Sequence, residues 1–218
     1  MVRPPAPATE MAHVRLKAAE FVTSAAGARD LLQTPLPELA MAGRSNVGKS
    51  TLINRLVGRP LARTSAAPGK TRLANYFRLT PERGRAFHLV DLPGYGYARG
   101  AKDGRAFATL AQEYFFGDGG VWIRPAIAGV VLLVDARHPG LDSDLEAFAW
   151  FKAQGRALLL VATKADKLSR AARQRSAAAL KQAFAQEALM TSAQSGDGID
   201  ELWIWIAQQL DQWTPPTR

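Results

Sequence analysis

Apolar residues in this chain fall into two interleaved patterns. Nearly unbroken apolar runs occupy about 38–42, 74–80, 85–91, 128–135, 157–163 and 187–190, and they read as strands. Between them, apolar positions recur at helical spacing, as in Leu52, Ile53, Leu56 and Val57. The predicted helices run to about 57, then over 103–116, 141–154, 170–186 and 198–212. Buried strands alternating with amphipathic helices predict an α/β fold. The expected core is a mostly parallel six-stranded sheet with one antiparallel edge strand and helices on both faces. Pro81-Glu82-Arg83-Gly84 is too short for a crossover, so the strands on either side of it form an antiparallel hairpin. Phe21-Val22 and Leu31-Leu32 suggest a lead-in segment beside the first strand. Residues 1–17 read as a disordered leader, 18–212 as a single domain and 213–218 as a frayed tail.

The first predicted strand runs straight into Gly43-Arg44-Ser45-Asn46-Val47-Gly48-Lys49-Ser50. This matches the phosphate-cradling loop G-x-x-x-x-G-K-[ST] without a gap, in the strand–loop–helix setting that the motif requires. The fold class is therefore that of P-loop NTPases, small-GTPase-like. The glycines let backbone wrap a polyphosphate closely, and successive amides form a nest for its oxygens. Lys49 would reach the β- and γ-phosphates, and the Ser50 hydroxyl would ligate Mg²⁺.

Thr163-Lys164-Ala165-Asp166 ends a later apolar run. A carboxylate there can accept from guanine N1–H and the N2 amino group, whereas adenine lacks that amino group and turns an acceptor toward it. Between the two motifs, an apolar strand delivers Asp91 in Asp91-Leu92-Pro93-Gly94. Asp91 would hold Mg²⁺ through a water, and the Gly94 amide would sense the γ-phosphate. A loop threonine is needed to complete the metal shell. Thr71, in Gly69-Lys70-Thr71-Arg72-Leu73, is chosen over Thr64 and Ser65 because it lies just before a strand. Thr191-Ser192-Ala193 follows the last strand, where small residues would let backbone approach guanine O6.

The chain carries 28 basic and 19 acidic residues, a net charge of +9, more than one nucleotide requires. The surplus points to a polyanion, and RNA is the obvious one. No RNA-binding module is recognisable, however. The absence of cysteine excludes disulfides and suits a reducing cytosol. No apolar run is long enough to span a bilayer, so no membrane partner is expected. His13 and His138 have no ligand-like neighbours, and no zinc site is proposed. His88 reads as structural or edge-exposed. Trp203, Trp205 and Trp213 read as packing on the sheet rather than as a base-stacking platform. Asp142 and Asp144 look like a helix start.

Taken together, these motifs resemble a translation-factor-type GTPase domain. More narrowly, the chain resembles the bacterial EngB/YihA/YsxC family of ribosome-assembly GTPases over about residues 18–212. The discriminating strings are P-G-K-T, ending at Thr71, and D-L-P-G-Y-G-Y-A, from Asp91 to Ala98. The resemblance implies binding of GTP and GDP, Mg²⁺, slow hydrolysis, and a role in maturing the large (50S) ribosomal subunit through rRNA contacts. It also implies a place in cell division and septation. A cytoplasmic monomer is expected. The alternative is a GTP-dependent rRNA-binding module in which hydrolysis is secondary. One departure stands out. Many GTPases place Gln directly after D-x-x-G to orient water, and here that position is Tyr95. Slow intrinsic turnover follows. In the wider class, Asn at position 46 often serves K⁺ as a fixed positive charge. Asn46 is either such a ligand or a loop hydrogen-bonding group. Lys70, Arg72, Tyr95, Tyr97 and Arg99 flank the switch elements and are expected on the partner surface.

Overall fold

The apolar runs pair into one sheet in the computed structural model, which describes residues 14–62, 73–95, 101–118, 120 and 123–215, the side chains of 101–108 excepted. Among the described residues, seven strands alternate with five α-helices. They are β1 (Leu16–Ala25), β2 (Glu38–Gly43), α1 (Lys49–Val57), β3 (Ala74–Pro81), β4 (Phe87–Asp91), α2 (Ala101–Phe116), β5 (Ile127–Asp135), α3 (Asp142–Ala153), β6 (Ala157–Thr163), α4 (Arg170–Phe184), β7 (Leu189–Met190) and α5 (Ile199–Gln212). Their order across the sheet is β1-β3-β4-β2-β5-β6-β7. The run from β4 to β7 is parallel, while β3 pairs antiparallel with both β4 and β1.

The sheet thus has seven strands where the apolar pattern suggested six. The extra one is the lead-in segment. It does not lie beside β2 but forms β1 on the outside of β3, with Phe21 opposite Phe77. Half of β1 is exposed, and only Ala19 and Ala25 are buried, so it lacks the apolar run that marks the inner strands. It begins at Leu16, inside the segment expected to be a leader.

Alternation along β2 divides the core into two layers. Leu39 and Met41 face α1 and α5, packing with Leu52, Ile53, Leu202 and Ile206. Ala40 and Ala42 face α2, α3 and α4, packing with Tyr114, Phe115, Phe151 and Leu180. Each such fully buried aliphatic side chain contributes about 1.5–3 kcal/mol. Glu38 is buried at the start of β2, where burial pushes its carboxyl pKa up against the opposing pull of Arg124. The two side chains make a forked pair at 2.8 and 3.2 Å, and the guanidinium also covers the Tyr114 ring.

One terminal reading changes. Trp213, expected to open a frayed tail, is buried. Its indole N–H donates to the Pro125 carbonyl at 2.7 Å, and Arg85 lies over its ring. Trp203 is likewise core and packs edge-on against Phe87, as expected. His88 is buried rather than edge-exposed, because β3 and β2 cover it on either side.

Candidate functional site

β2 is buried along its whole length, and its last residue, Gly43, opens the phosphate loop at the carboxyl edge of the sheet. The loop closes on itself through Val47 N–H to Arg44 O at 3.2 Å. Gly48 then enters α1 with φ 106°, a conformation that only glycine adopts without strain. Having no side chain, Gly48 leaves the first amides of α1 uncapped, and the positive end of the helix favours an anion there.

Lys49 emerges from the first turn of α1, and its ammonium pairs with the Asp91 carboxylate at the end of β4. Both side chains are largely buried. A triphosphate would draw the ammonium to itself, and the carboxylate would then face the metal shell. Ser50, on the same helical turn, adds an oxygen donor. An all-oxygen set with one carboxylate suits Mg²⁺, which keeps waters and takes its remaining ligands from phosphates. Among the described residues no group of three or more His, Asp or Glu is assembled as an all-protein cage, in keeping with that chemistry.

The Asp91–Gly94 segment lies directly against the loop. The Ser45 amide donates to the Tyr95 carbonyl at 3.0 Å, and Arg44 bridges Tyr95 as a short parallel extension of the sheet. A methyl group on Gly94 would sit 2.8 Å from Ser45 N, so only glycine permits this approach. Tyr95 itself is turned inward. It is buried, not part of an exposed partner surface, and its hydroxyl donates to Asp144 Oδ1 at 3.0 Å. Burial pushes the phenol pKa up, and the neighbouring carboxylate adds to the effect. Asp144 is correspondingly more than a helix start. It is fully buried in the first turn of α3, 3.3 Å from Arg44 Nε. The small Gly-Tyr step explains the inversion: with Gly94 pressed on Ser45, the following side chain has only the core to enter.

The elements read from the sequence as guanine-binding meet on the other side of α1. Thr163 ends β6, and its hydroxyl donates to Val47 O at 2.6 Å. Lys164 follows with φ 61°, and its ammonium donates to Asn46 O at 2.6 Å. Asp166 sits in the short 3₁₀ turn Ala165–Lys167. The Ser192 hydroxyl donates to Asp166 Oδ1 at 2.8 Å while accepting from the amides of Gln194 and Ser195. That hydroxyl, with help from Lys167, holds the Asp166 carboxyl below its ordinary pKa, so it stays an acceptor. Ala165 N–H donates to Thr191 O at 3.1 Å, which stitches the two loops together. Gly48, Leu52, Lys164, Asp166 and Ala193 line a cleft of about 210 Å³.

Thr191-Ser192-Ala193, a weak signal in the sequence, is therefore part of the built site. Gly69, Lys70, Thr71, Arg72, Tyr97 and Arg99 lie outside the described residues, while Leu73 is exposed just ahead of β3. Asn46 has φ 62° and is exposed at the mouth of the loop. Sequence reasoning missed Asn54, whose carboxamide accepts from Leu61 and Ala62 at 2.8 and 2.6 Å and donates to Ala62 O at 2.8 Å. It anchors the chain at Leu61 and Ala62, just after α1. Its only signal is its place five residues after Lys49.

Comparison with known proteins agrees with this geometry. The 50S ribosome-binding GTPase family matches residues 38–164. A probable GTP-binding protein EngB from Pelotomaculum thermopropionicum is 44% identical over 195 residues, covering 87% of this chain and 93% of the relative. The crystal structure of a probable GTP-binding protein engB superposes with a TM-score of 0.60 at 23% identity, covering 80% of this chain and 99% of the other. Era in complex with MgGDPNP and nucleotides of 16S ribosomal RNA shares the fold, with a TM-score of 0.67 at 22% identity over 85% of this chain and 60% of the other. With a phosphate loop, an Asp91–Gly94 segment docked on it and a cleft lined by Lys164 and Asp166 beside it, the chain belongs to the EngB family of GTP-binding proteins, within the P-loop GTPases.

Proposed function

We propose that this GTPase is a switch in assembly of the large (50S) ribosomal subunit, cycling between GTP-bound and GDP-bound forms on an rRNA-containing precursor. The observation that carries the proposal is the docking of Gly94 on Ser45 beside the Lys49–Asp91 pair. A γ-phosphate arriving at Lys49 meets the second switch at its point of contact with the phosphate loop. Binding and hydrolysis are thereby coupled to the loop that follows. The net charge of +9 supports a polyanionic partner.

Within this reading Ser50 and Thr71 would ligate Mg²⁺ directly and Asp91 would hold it through water, and the ion would supply positive charge to offset that of the phosphates. Lys49 orients the β- and γ-phosphates, and Asp166 reads the base. Tyr95 points into the core, so no side chain directly after Gly94 orients water and intrinsic hydrolysis is slow. Asn46, exposed at the mouth of the loop, is the candidate ligand for K⁺; equal turnover in K⁺ and Na⁺ would remove it from that role. The protein acts in the cytoplasm as a monomer and has a part in cell division and septation.

The test is co-sedimentation with purified ribosomal subunits, with GDP or a non-hydrolysable GTP analogue, at two salt concentrations. Large-subunit association only with the analogue, weakening with salt, is the expected result. Association with neither nucleotide leaves a GTPase with no ribosomal role. A variant that binds GTP but does not turn over should trap particles. If cells tolerate it, the rRNA-binding module is the better description.

A further inference from the structure

Asp135 closes β5 directly opposite Thr163 of β6, and its side chain is only 4% exposed. Its Oδ1 accepts from the Arg137 amide at 3.0 Å and from Arg137 Nε at 2.9 Å. Its Oδ2 accepts from Arg137 Nη2 at 2.7 Å and from Lys164 Nζ at 3.0 Å. The Arg137 fork fixes the plane of the carboxylate, and the free lone pair of Oδ2 is left aimed at the lysine. Burial alone would raise the Asp135 pKa, but the hydrogen bonds from Arg137 and Lys164 more than offset it and keep the group ionised.

Lys164 is the only one of these groups that touches the nucleotide site. The same ammonium that rests on Asp135 donates to Asn46 O, and its stem passes 3.7 Å from where a Cβ on Gly48 would lie. A lysine stem has four rotatable bonds, and one carbonyl acceptor does not order them. A buried, pre-oriented carboxylate does, and it removes that entropy cost before any nucleotide arrives. We propose that Asp135 is a positioning residue for guanine-nucleotide binding, acting through Lys164 to hold at once the wall of the base cleft and the carbonyl of the phosphate loop. The proposal rests on the nucleotide site being where the preceding sections place it.

The test is the affinity of the full chain for a fluorescent N-methylanthraniloyl GDP with Mg²⁺. Wild type, Asp135→Asn, Lys164→Met and the double variant are titrated, and the urea unfolding of each is recorded without nucleotide. Each single change is expected to weaken binding about tenfold, and the double to weaken it no further than Lys164→Met alone, because both act through one ammonium. Wild-type affinity in Asp135→Asn overturns the proposal, as do losses that multiply in the double variant. Should Asp135→Asn not unfold cooperatively, Arg137→Ala loosens the same carboxylate from the exposed side. About a threefold loss that vanishes in the Lys164→Met background is then expected, and its persistence there overturns the proposal. Failure of the wild type to bind the probe strikes the nucleotide site itself, a result distinct from any failure confined to Asp135.

Discussion

The Tyr95 hydroxyl donates to Asp144 Oδ1 at 3.0 Å, and this bond holds the side chain that follows Gly94 in the core. It anchors the residue after Gly94 to helix α3, 3.3 Å from Arg44 Nε across the same carboxylate oxygen. Tyr95→Phe should therefore act on stability before chemistry. Losing a buried hydrogen bond to a charged group costs about 1.5–3 kcal/mol, measurable by urea unfolding. Single-turnover GTP hydrolysis should stay within about threefold. Tyr95→Gln should give no acceleration, since the side chain at this position enters the core. A large rise in turnover would place it at the γ-phosphate instead.

Gly94→Ala tests the contact on the other side of that step. The added methyl meets Ser45 N at 2.8 Å and Ser45 Cα at 2.9 Å, both backbone atoms that do not swing aside. The fold should lose about 1–3 kcal/mol. Affinity for a non-hydrolysable GTP analogue should fall about tenfold more than affinity for GDP, because only the former needs the Gly94 amide at the γ-phosphate. Equal losses for the two nucleotides in calorimetric titration would deny Gly94 a sensing role.

Asp166→Asn changes the identity of the base that fits. The amide keeps one acceptor but turns a donor toward the guanine N2 amino group, leaving donor against donor. GDP affinity should drop about a hundredfold or more. Xanthosine diphosphate, with a carbonyl at that position, should bind the variant more tightly than GDP does. Ser192 still has an acceptor oxygen in the variant, so the loop should stay in place. Unchanged GDP binding would move the base away from Asp166.

His88 gives the fold an acid limit. Burial, with Arg78 across the strand pair, lowers its pKa from 6.5 to about 4. The unfolded chain takes up the proton near pH 6.5, while the folded chain resists until about pH 4. The stabilisation is thus complete above pH 6.5 and is lost as pH falls toward 4, at about 1.4 kcal/mol per pH unit and about 3 kcal/mol in all. Denaturant unfolding at pH 7.5 and pH 5 measures it. His88→Phe, which keeps the ring contact with Tyr76, should flatten the difference between the two.

The inner strands and the two phosphate-facing motifs were legible because burial on both faces writes itself as an apolar run, and because polyphosphate and guanine each demand particular atoms at fixed spacing. β1 was not legible as a strand, since an edge strand exposed along half of its length carries little apolar signal. Trp213 carried two readings, packing and the start of a tail, because the partners that bury it, Pro125 and Arg85, are distant in sequence. The inward turn of Tyr95 was hidden for a similar reason. Its direction depends on Asp144, forty-nine positions away, and on the pressure of Gly94 against Ser45. Asp135 read only as the end of a strand, because nothing local to it reveals the lysine that it holds.

The braces on the phosphate loop also set an order of events during synthesis. Its carbonyls at Asn46 and Val47 are gripped by Lys164 and Thr163, more than a hundred residues further along the chain. A nascent polypeptide that has emerged only through α1 carries the phosphate-binding sequence without its clasp. The cradle takes its final shape once β6 has slotted in beside β5, and the base cleft waits a little longer, for Ser192. The loop is thereby fully braced only in a chain that has folded at least as far as β6.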